Sequence, residues 1–133
     1  MAALTVDDRL AITQLLATYC RMIDRGQWEE LRALFTSDCR LDFGARMGVH
    51  EGEGGVRRFT ETLRATGLLM RHYTMNVIVT GDGTRARAES HLLAITGPPG
   101  SAMLTTGFYE DELVKSDGRW RFRVRRALID LPA

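Results

Sequence analysis

The sequence is poor in the features that mark several specialised classes of protein. Its 133 residues include only two cysteines and three prolines, and 8% of them are aromatic. Cys20 and Cys39 have no CxxC spacing, so we interpret them as buried free thiols rather than as a disulfide scaffold or a metal site. No apolar run reaches the roughly 20 residues of a membrane span, and no N-terminal signal pattern is visible. We therefore expect a cytoplasmic protein without membrane association.

The chain also lacks an excess of charge of either sign. It carries 18 basic and 17 acidic residues, for a net charge of +1. This balance provides no bulk attraction to nucleic acid or to anionic lipid, and we expect neither as a partner. The length of 133 residues and the 44% hydrophobic composition fit one globular domain spanning residues 1–133.

The hydrophobic pattern changes its period near Met70. Before this residue, helical spacing occurs in "LTVDDRLAITQLLATYCRMID", "QWEELRALF" and "GGVRRFTETLRATG", and "CRLDFG" predicts a short strand. After it, "MRHYTMNVIVTGDGTRARAESHLLAIT" predicts two strands joined by a hairpin at "GDGT". Two more strands, joined near "SDGR", are predicted by "AMLTTGFYEDELVKSDGRWRFRVRRALID". This order predicts an α+β fold in which helices cover one face of a long curved sheet and enclose a cavity.

One aspartate and two histidines are the candidates for chemistry. Asp24 falls at the edge of the apolar face of the first helix, where a carboxylate is costly unless it is paired. His72 and His91 lie in adjoining predicted strands. If the three converge in the cavity, the carboxylate orients one imidazole as a base and the other imidazole serves as an acid. A polar helix end and two histidines with purely structural roles would produce the same pattern.

The last predicted strand directs one arginine toward the core. Trp120, Phe122 and Val124 are the apolar positions of an alternating pattern and must face inward. Continued alternation brings Arg126 inward, although a β-bulge would change that parity. Because an unpaired buried charge is too costly, we expect Arg126 to meet a carboxylate, with Asp24 as the leading candidate.

Three stretches carry a family resemblance. They are "ITQLLATYCRMIDRGQWEELRALFTSDCRLDF", "RHYTMNVIVTGDGTRARAESHLLAI" and "GFYEDELVKSDGRWRFRVRRALID". Through them, the chain resembles the SnoaL-like branch of the nuclear transport factor 2-like superfamily over nearly its whole length. The resemblance implies a cystatin-like, cone-shaped α+β domain. Its curved, mixed and mostly antiparallel sheet would be covered by three N-terminal helices and would contain a deep, largely apolar pocket.

Within that superfamily, the chain most resembles scytalone dehydratase and the bile acid 7-alpha-dehydratases. In those enzymes a helix aspartate and a strand histidine act together as a general acid–base pair in water elimination. The resemblance gives these roles to Asp24 and His72, a further catalytic position to His91, and a supporting hydroxyl to Tyr19. We also predict substrate contacts from Arg126, Phe43, Trp120, Asn76 and Phe59.

The predicted function is therefore a small enzyme that uses no metal and no organic cofactor. It would remove water from an apolar hydroxy-carbonyl, steroid-like or polyketide-like substrate. Ile23 and Phe43 stand where scytalone dehydratase has tyrosines, so scytalone itself is not the expected substrate. Three alternatives stay open: an isomerase with the same residues, a non-catalytic protein that binds a small apolar molecule, and the small subunit of a ring-hydroxylating dioxygenase. We also expect a homo-oligomer, a dimer or trimer, associated through the outer face of the sheet.

Overall fold

The first half of the chain is mainly helical. The computed structural model describes residues 2–132. Its helices are α1 (Val6–Asp24), the single-turn α2 (Trp28–Leu31) with a 3-10 turn after it (Arg32–Leu34), the single-turn α3 (Gly44–Met47), and α4 (Gly52–Thr66). The three predicted helices are present, and α3 is an additional turn. None of the described helices is long and apolar enough to cross a membrane.

Six strands form one curved sheet. They are β1 (Phe35–Asp42), β2 (Val49–Glu51), β3 (Leu69–Gly81), β4 (Arg85–Gly97), β5 (Met103–Ser116) and β6 (Arg119–Leu131). Their order across the sheet is β2-β1-β6-β5-β4-β3. All neighbours are antiparallel except β1 and β6, which are parallel. This mixed, mostly antiparallel sheet with its helical cover confirms the predicted α+β fold class.

Both predicted hairpins are present, and their turn residues explain where the strands end. Asp82 Oδ1 accepts hydrogen bonds from the backbone N–H groups of Thr84 (2.8 Å) and Arg85 (3.0 Å). In the second hairpin, Asp117 and Gly118 have φ values of 53° and 74°. Positive φ at both central residues is what a two-residue turn needs in order to follow the twist of its strands.

The core lies between the inner face of the sheet and the helices α1 and α4. The buried side of α1 consists of apolar residues at helical spacing, namely Ile12, Leu15, Leu16, Tyr19, Cys20 and Ile23. The pairing of β3 with β4 and the pairing of β5 with β6 contain register shifts, at which β3 and β6 carry an extra residue. Each shift reverses which side chains face the helices, because side chains alternate along a strand.

Asp8 ties the start of α1 to the far end of the sheet. Thr5 Oγ1 accepts from the Asp8 backbone N–H (3.0 Å), and Asp8 Oδ2 accepts from the Thr5 backbone N–H (3.1 Å), which forms a capping box. Asp8 Oδ1 also accepts from Trp120 Nε1 (3.0 Å) and from Lys115 Nζ (3.1 Å). Trp120, a predicted substrate contact, therefore has a structural partner and is not among the residues that line the cavity described below.

We expect Asp8→Asn to lower the melting temperature at neutral pH by several degrees. Hydrogen bonds from the Thr5 backbone, Trp120 and Lys115 hold the pKa of Asp8 well below its usual range. A lowered folded-state pKa contributes stability that is present above the unfolded pKa and is lost as the pH falls below it. Thermal denaturation should therefore show the gap between the two proteins narrowing from about pH 4 downward. Asp7→Asn, an exposed change in the same turn, is the control, and an equal loss in both variants would contradict the role of Asp8.

Candidate active site

An aspartate and a histidine meet where α1 ends beside β3. His72 Nδ1 lies 2.7 Å from Asp24 Oδ1, and the His72 backbone N–H donates to Asp24 Oδ2 at 2.8 Å. The predicted hydrogen bond between the two side chains is therefore present. A carboxylate only accepts hydrogen bonds, so Nδ1 carries the hydrogen and Nε2 is left as the nitrogen that can accept a proton.

The pair forms because the spacing of residues along α1 matches the spacing along β3. Four residues of helix rise about 6 Å, and two residues of strand rise about 6.6 Å. Because α1 and β3 run in opposite directions, Asp24 lies beside His72 and Cys20, one helical turn earlier, lies beside Thr74. Cys20 Sγ is 3.1 Å from Thr74 Oγ1. Because β3 is an edge strand, the His72 N–H has no strand partner on that side and donates to Asp24 instead.

His72 lines a cavity of about 250 Å³ between the helices and the sheet. The lining is mostly apolar and comes from the end of α1, from α3 and α4, and from strands β3 to β6. Its members are Tyr19, Ile23, Phe43, Arg46, Met47, Phe59, Leu63, Met70, His72, Leu92, Ala94, Thr96, Met103, Thr105, Tyr109, Ala127 and Ile129. Three of the residues singled out from the sequence besides His72 thus line this space: Tyr19, Phe43 and Phe59.

His91 and Asn76 lie on the opposite face of the sheet, so the expected convergence of both histidines in one cavity is wrong. Ser90, Leu92 and Ala94 are the buried positions of β4, which directs His91 outward. Its Nδ1 lies 2.7 Å from Asn76 Nδ2. Asn76 occupies the register shift of β3 with a φ of 56°, and this extra residue removes it from the face that His72 shares.

The prediction that Arg126 turns inward is also wrong. The pairing of β5 with β6 shifts between Phe122 and Val124, which adds one residue to β6. After the shift, Arg125 points into the core, and the Arg126 side chain is 47% exposed with its Nε 3.8 Å from Asp42 Oδ2. A contact between Arg126 and Asp24 is therefore absent.

Arg125 forms a buried charged cluster behind the cavity. Its guanidinium carbon lies 4.1 Å, 3.5 Å and 4.6 Å from the ring centroids of Tyr19, Tyr109 and Phe122. Its Nε lies 3.5 Å from Asp111 Oδ1, and both side chains of this ion pair are fully buried. Burial raises the pKa of Asp111 to about 6, and the Arg125 guanidinium acts in the opposite direction.

Sequence reasoning missed this cluster, although part of it was visible. Tyr109, Asp111 and Leu113 alternate along β5 and are all buried. This pattern places an aspartate among core residues, where a carboxylate needs a buried cation as its partner. The cation itself could not be assigned, because the bulge that exchanges Arg125 for Arg126 has no signature in this arginine-rich stretch.

The chain is similar to known proteins over nearly its whole length. Residues 4–126 match the SnoaL-like domain. A protein of unknown function with a cystatin-like fold from Nostoc punctiforme is 26% identical, with a TM-score of 0.86 over 98% of this chain and 96% of that one. The protein named "Putative Scytalone Dehydratase" from Novosphingobium aromaticivorans is also 26% identical, with a TM-score of 0.83 over 95% and 86% of the two chains. The beta subunit of a "putative aromatic-ring-hydroxylating dioxygenase" from the same organism shares the fold at 23% identity, with a TM-score of 0.81 over 92% and 89%.

Proposed function

Because the chain belongs to the SnoaL-like family, we propose that it uses the cavity between sheet and helices for acid–base catalysis, as a dehydratase of a small apolar hydroxy-carbonyl compound. The observation that carries this proposal is the His72 ring, which lines an apolar cavity and is held through Nδ1 by Asp24 at 2.7 Å. The likeness of the chain to the Novosphingobium protein with "Scytalone Dehydratase" in its name supports the same reaction class. Fold alone would not, since one fold hosts many activities.

The reaction needs one base that also returns the proton. His72 Nε2 takes a proton from the carbon next to the substrate carbonyl. The released electron pair forms the new C=C bond as the adjacent C–O bond breaks. The leaving hydroxyl takes the proton back from the imidazolium and departs as water, which restores neutral His72. The Asp24 carboxylate offsets the charge of the imidazolium while it exists.

Two tyrosines replace His91 as hydrogen-bond donors in this proposal. Tyr19 and Tyr109 both line the cavity. Burial raises the pKa of both phenols, so their hydroxyls stay protonated at neutral pH. A neutral donor near the substrate carbonyl stabilises the negative charge that develops on its oxygen as the proton leaves.

A screen for turnover tests the proposal. The protein is incubated with a panel of aromatic and alicyclic β-hydroxy ketones, and the product is followed by the absorbance of its conjugated enone and by mass spectrometry. Loss of one water supports the dehydratase, whereas double-bond migration at unchanged mass indicates the isomerase. Binding of panel members without any change to them would replace the proposal with a ligand-binding function.

We further infer that two copies of the chain associate through the outer face of the sheet. Met75, His91, Phe108 and Leu128 lie directly opposite one another across β3, β4, β5 and β6, and form a row on this face. Phe108 and Leu128 are 44% and 45% exposed. An exposed apolar row of this kind is typical of an interaction surface.

The charges on the same face indicate a second copy as the occupant. Next to the apolar row, Glu89, Glu110 and Arg126 form the adjoining cross-strand row, and Arg87 pairs with Glu112 beyond it. Both signs are thus present on one surface. A two-fold axis can bring acidic residues of one copy against basic residues of the other, because such an interface joins identical patches.

Phe108→Glu is expected to convert the oligomer into a monomer. The change puts a carboxylate in the centre of the apolar row, beside Glu110, where it would be desolvated without a partner. Light scattering coupled to size exclusion measures the mass. Leu10→Glu, an exposed apolar position on α1 that is 63% exposed, is the matched control and should leave the mass unchanged. A wild-type protein that is monomeric at about 100 µM would refute the inference.

A further inference from the structure

We propose that Arg46 makes the cavity selective for substrates with a carboxylate at the end that faces the cavity rim. The inference rests on the proposed function for its site, and it names the class of substrate: an apolar body with an acidic end. Arg46 is not among the residues that sequence reasoning singled out. It lies in α3, a single turn that is too short to show a helical pattern in the sequence.

Arg46 is held at the rim by its surroundings. Its Nη2 donates to the backbone oxygen of Pro132, just past the end of β6, at 3.3 Å. The turn that carries it is fixed by the buried His50, whose Nε2 lies 2.7 Å from the Met47 backbone oxygen. Met47 and Arg46 both line the cavity. One nitrogen of this exposed guanidinium is thus held just past the end of β6.

The charge of Arg46 has no counterpart in the cavity. Among the seventeen lining residues, it is the one with a permanent charge, and no lining residue is acidic. Within residues 2–132, no carboxylate lies within 4.0 Å of its nitrogens. A guanidinium has five N–H donors, and the bond to Pro132 uses one of them. The remaining donors can form the two parallel hydrogen bonds that a carboxylate accepts.

The arrangement also fixes how a substrate lies. An apolar body fills the region lined by residues such as Phe59, Leu63 and Met70, and its acidic end reaches Arg46. The reacting carbon is then placed at His72, which lines the same cavity from β3. A carboxylate recognised by one arginine at a partly exposed rim is expected to bind about five- to tenfold more tightly than the same molecule as a neutral ester.

Calorimetric titration with matched probes tests this selectivity. The probes are 2-naphthylacetate, cinnamate and 4-phenylbutyrate, each paired with its methyl ester. The wild-type protein should bind at least one acid about five- to tenfold more tightly than its ester. Arg46→Gln should remove that preference by weakening the acid alone, and Arg46→Glu should reverse it. Arg57→Gln, which removes an exposed arginine of α4 outside the cavity lining, should behave as wild type.

The result that overturns the inference is a panel in which no acid binds more tightly than its ester, including a panel in which nothing binds. Equal weakening of acid and ester by Arg46→Gln would also overturn it, because that indicates a loss of shape rather than of charge. The measurement needs no turnover. If the protein shows the Arg46-dependent preference but never dehydrates a substrate, this inference holds and the proposed function is rejected. If His72 catalyses dehydration but acids are not preferred, the proposed function holds and this inference is rejected.

Discussion

His72→Ala is expected to lower turnover of a dehydration substrate by about 10²–10⁴-fold, because it removes the group that takes and returns the proton. The affinity for an unreactive analogue should change little, since His72 is one of many residues that line the cavity. A large fall in kcat with a small change in binding is the signature of an interaction that matters in the transition state. The measurement is the initial rate of enone formation with each protein.

Asp24→Asn separates the charge of the pair from its shape. The amide can still reach His72, but it cannot offset the imidazolium charge, so turnover should again fall far more than binding. The double variant should lose little beyond the worse single variant, because the two residues act as a unit. His91→Gln is the matched control, since it changes a histidine on the outer face of the sheet. Near-normal activity of His72→Ala would end the acid–base proposal, and a loss in His91→Gln equal to that of His72→Ala would contradict the assignment of the site.

Arg125→Met is expected to destabilise the fold by about 3–5 kcal/mol at neutral pH, the cost of leaving one partner of a buried ion pair alone. The side chains of Arg125 and Asp111 are both fully buried, and none of the three guanidinium nitrogens forms a hydrogen bond within residues 2–132. The Asp111 charge and the surrounding aromatic rings therefore hold the cation. Urea denaturation measures the free energy of unfolding.

The pH dependence of this loss identifies its cause. Burial already raises the folded-state pKa of Asp111 to about 6, and the loss of Arg125 removes the group that opposes this shift. A raised folded-state pKa means that stability is fully present below the unfolded pKa and is lost as the pH rises through the folded one. The defect of Arg125→Met should therefore be much smaller at about pH 4.5 than at about pH 7.5.

A second substitution provides the control for packing. Asp111→Leu combined with Arg125→Met replaces the ion pair with apolar side chains, which is often neutral or stabilising in other proteins. We expect the double variant to recover most of the stability lost at neutral pH. If it is as unstable as Arg125→Met at both pH values, the lost stability belongs to the contacts of the guanidinium with Tyr19 and Tyr109 instead of the charge of Asp111.

Much of this molecule could be predicted from local pattern. The spacing of apolar residues defined α1, and the change of period near Met70 defined the long strands, because both signals depend on a repeat within a few residues. The pairing of Asp24 with His72 followed from the position of an acid at the edge of an apolar helix face and from a family resemblance. Each of these inferences needed no knowledge of how one strand is offset against another.

Two of the failures have the same physical origin. Arg126 was placed inward by counting alternate residues, and a register shift in β6 broke that count. A register shift in β3 likewise places Asn76, a predicted substrate contact, on the outer face of the sheet. His91 was ambiguous for the same kind of reason, since alternation defines two faces but not which of them the helices cover. Arg46 was missed because α3 is a single turn, and its place at the cavity rim depends on contacts with His50 and with Pro132, which is 86 residues away in the sequence.

The sequence by itself determined the elements, their order and the residue types available for chemistry, because hydrophobic period, turn residues and caps act over a few neighbours. Only the tertiary structure decided which of those residues meet. A bulge costs little locally but reverses the direction of every later side chain in its strand. The choice between Arg125 and Arg126 was therefore made by the whole sheet, where Asp111 and three aromatic rings surround a cation that no segment of the chain could hold alone.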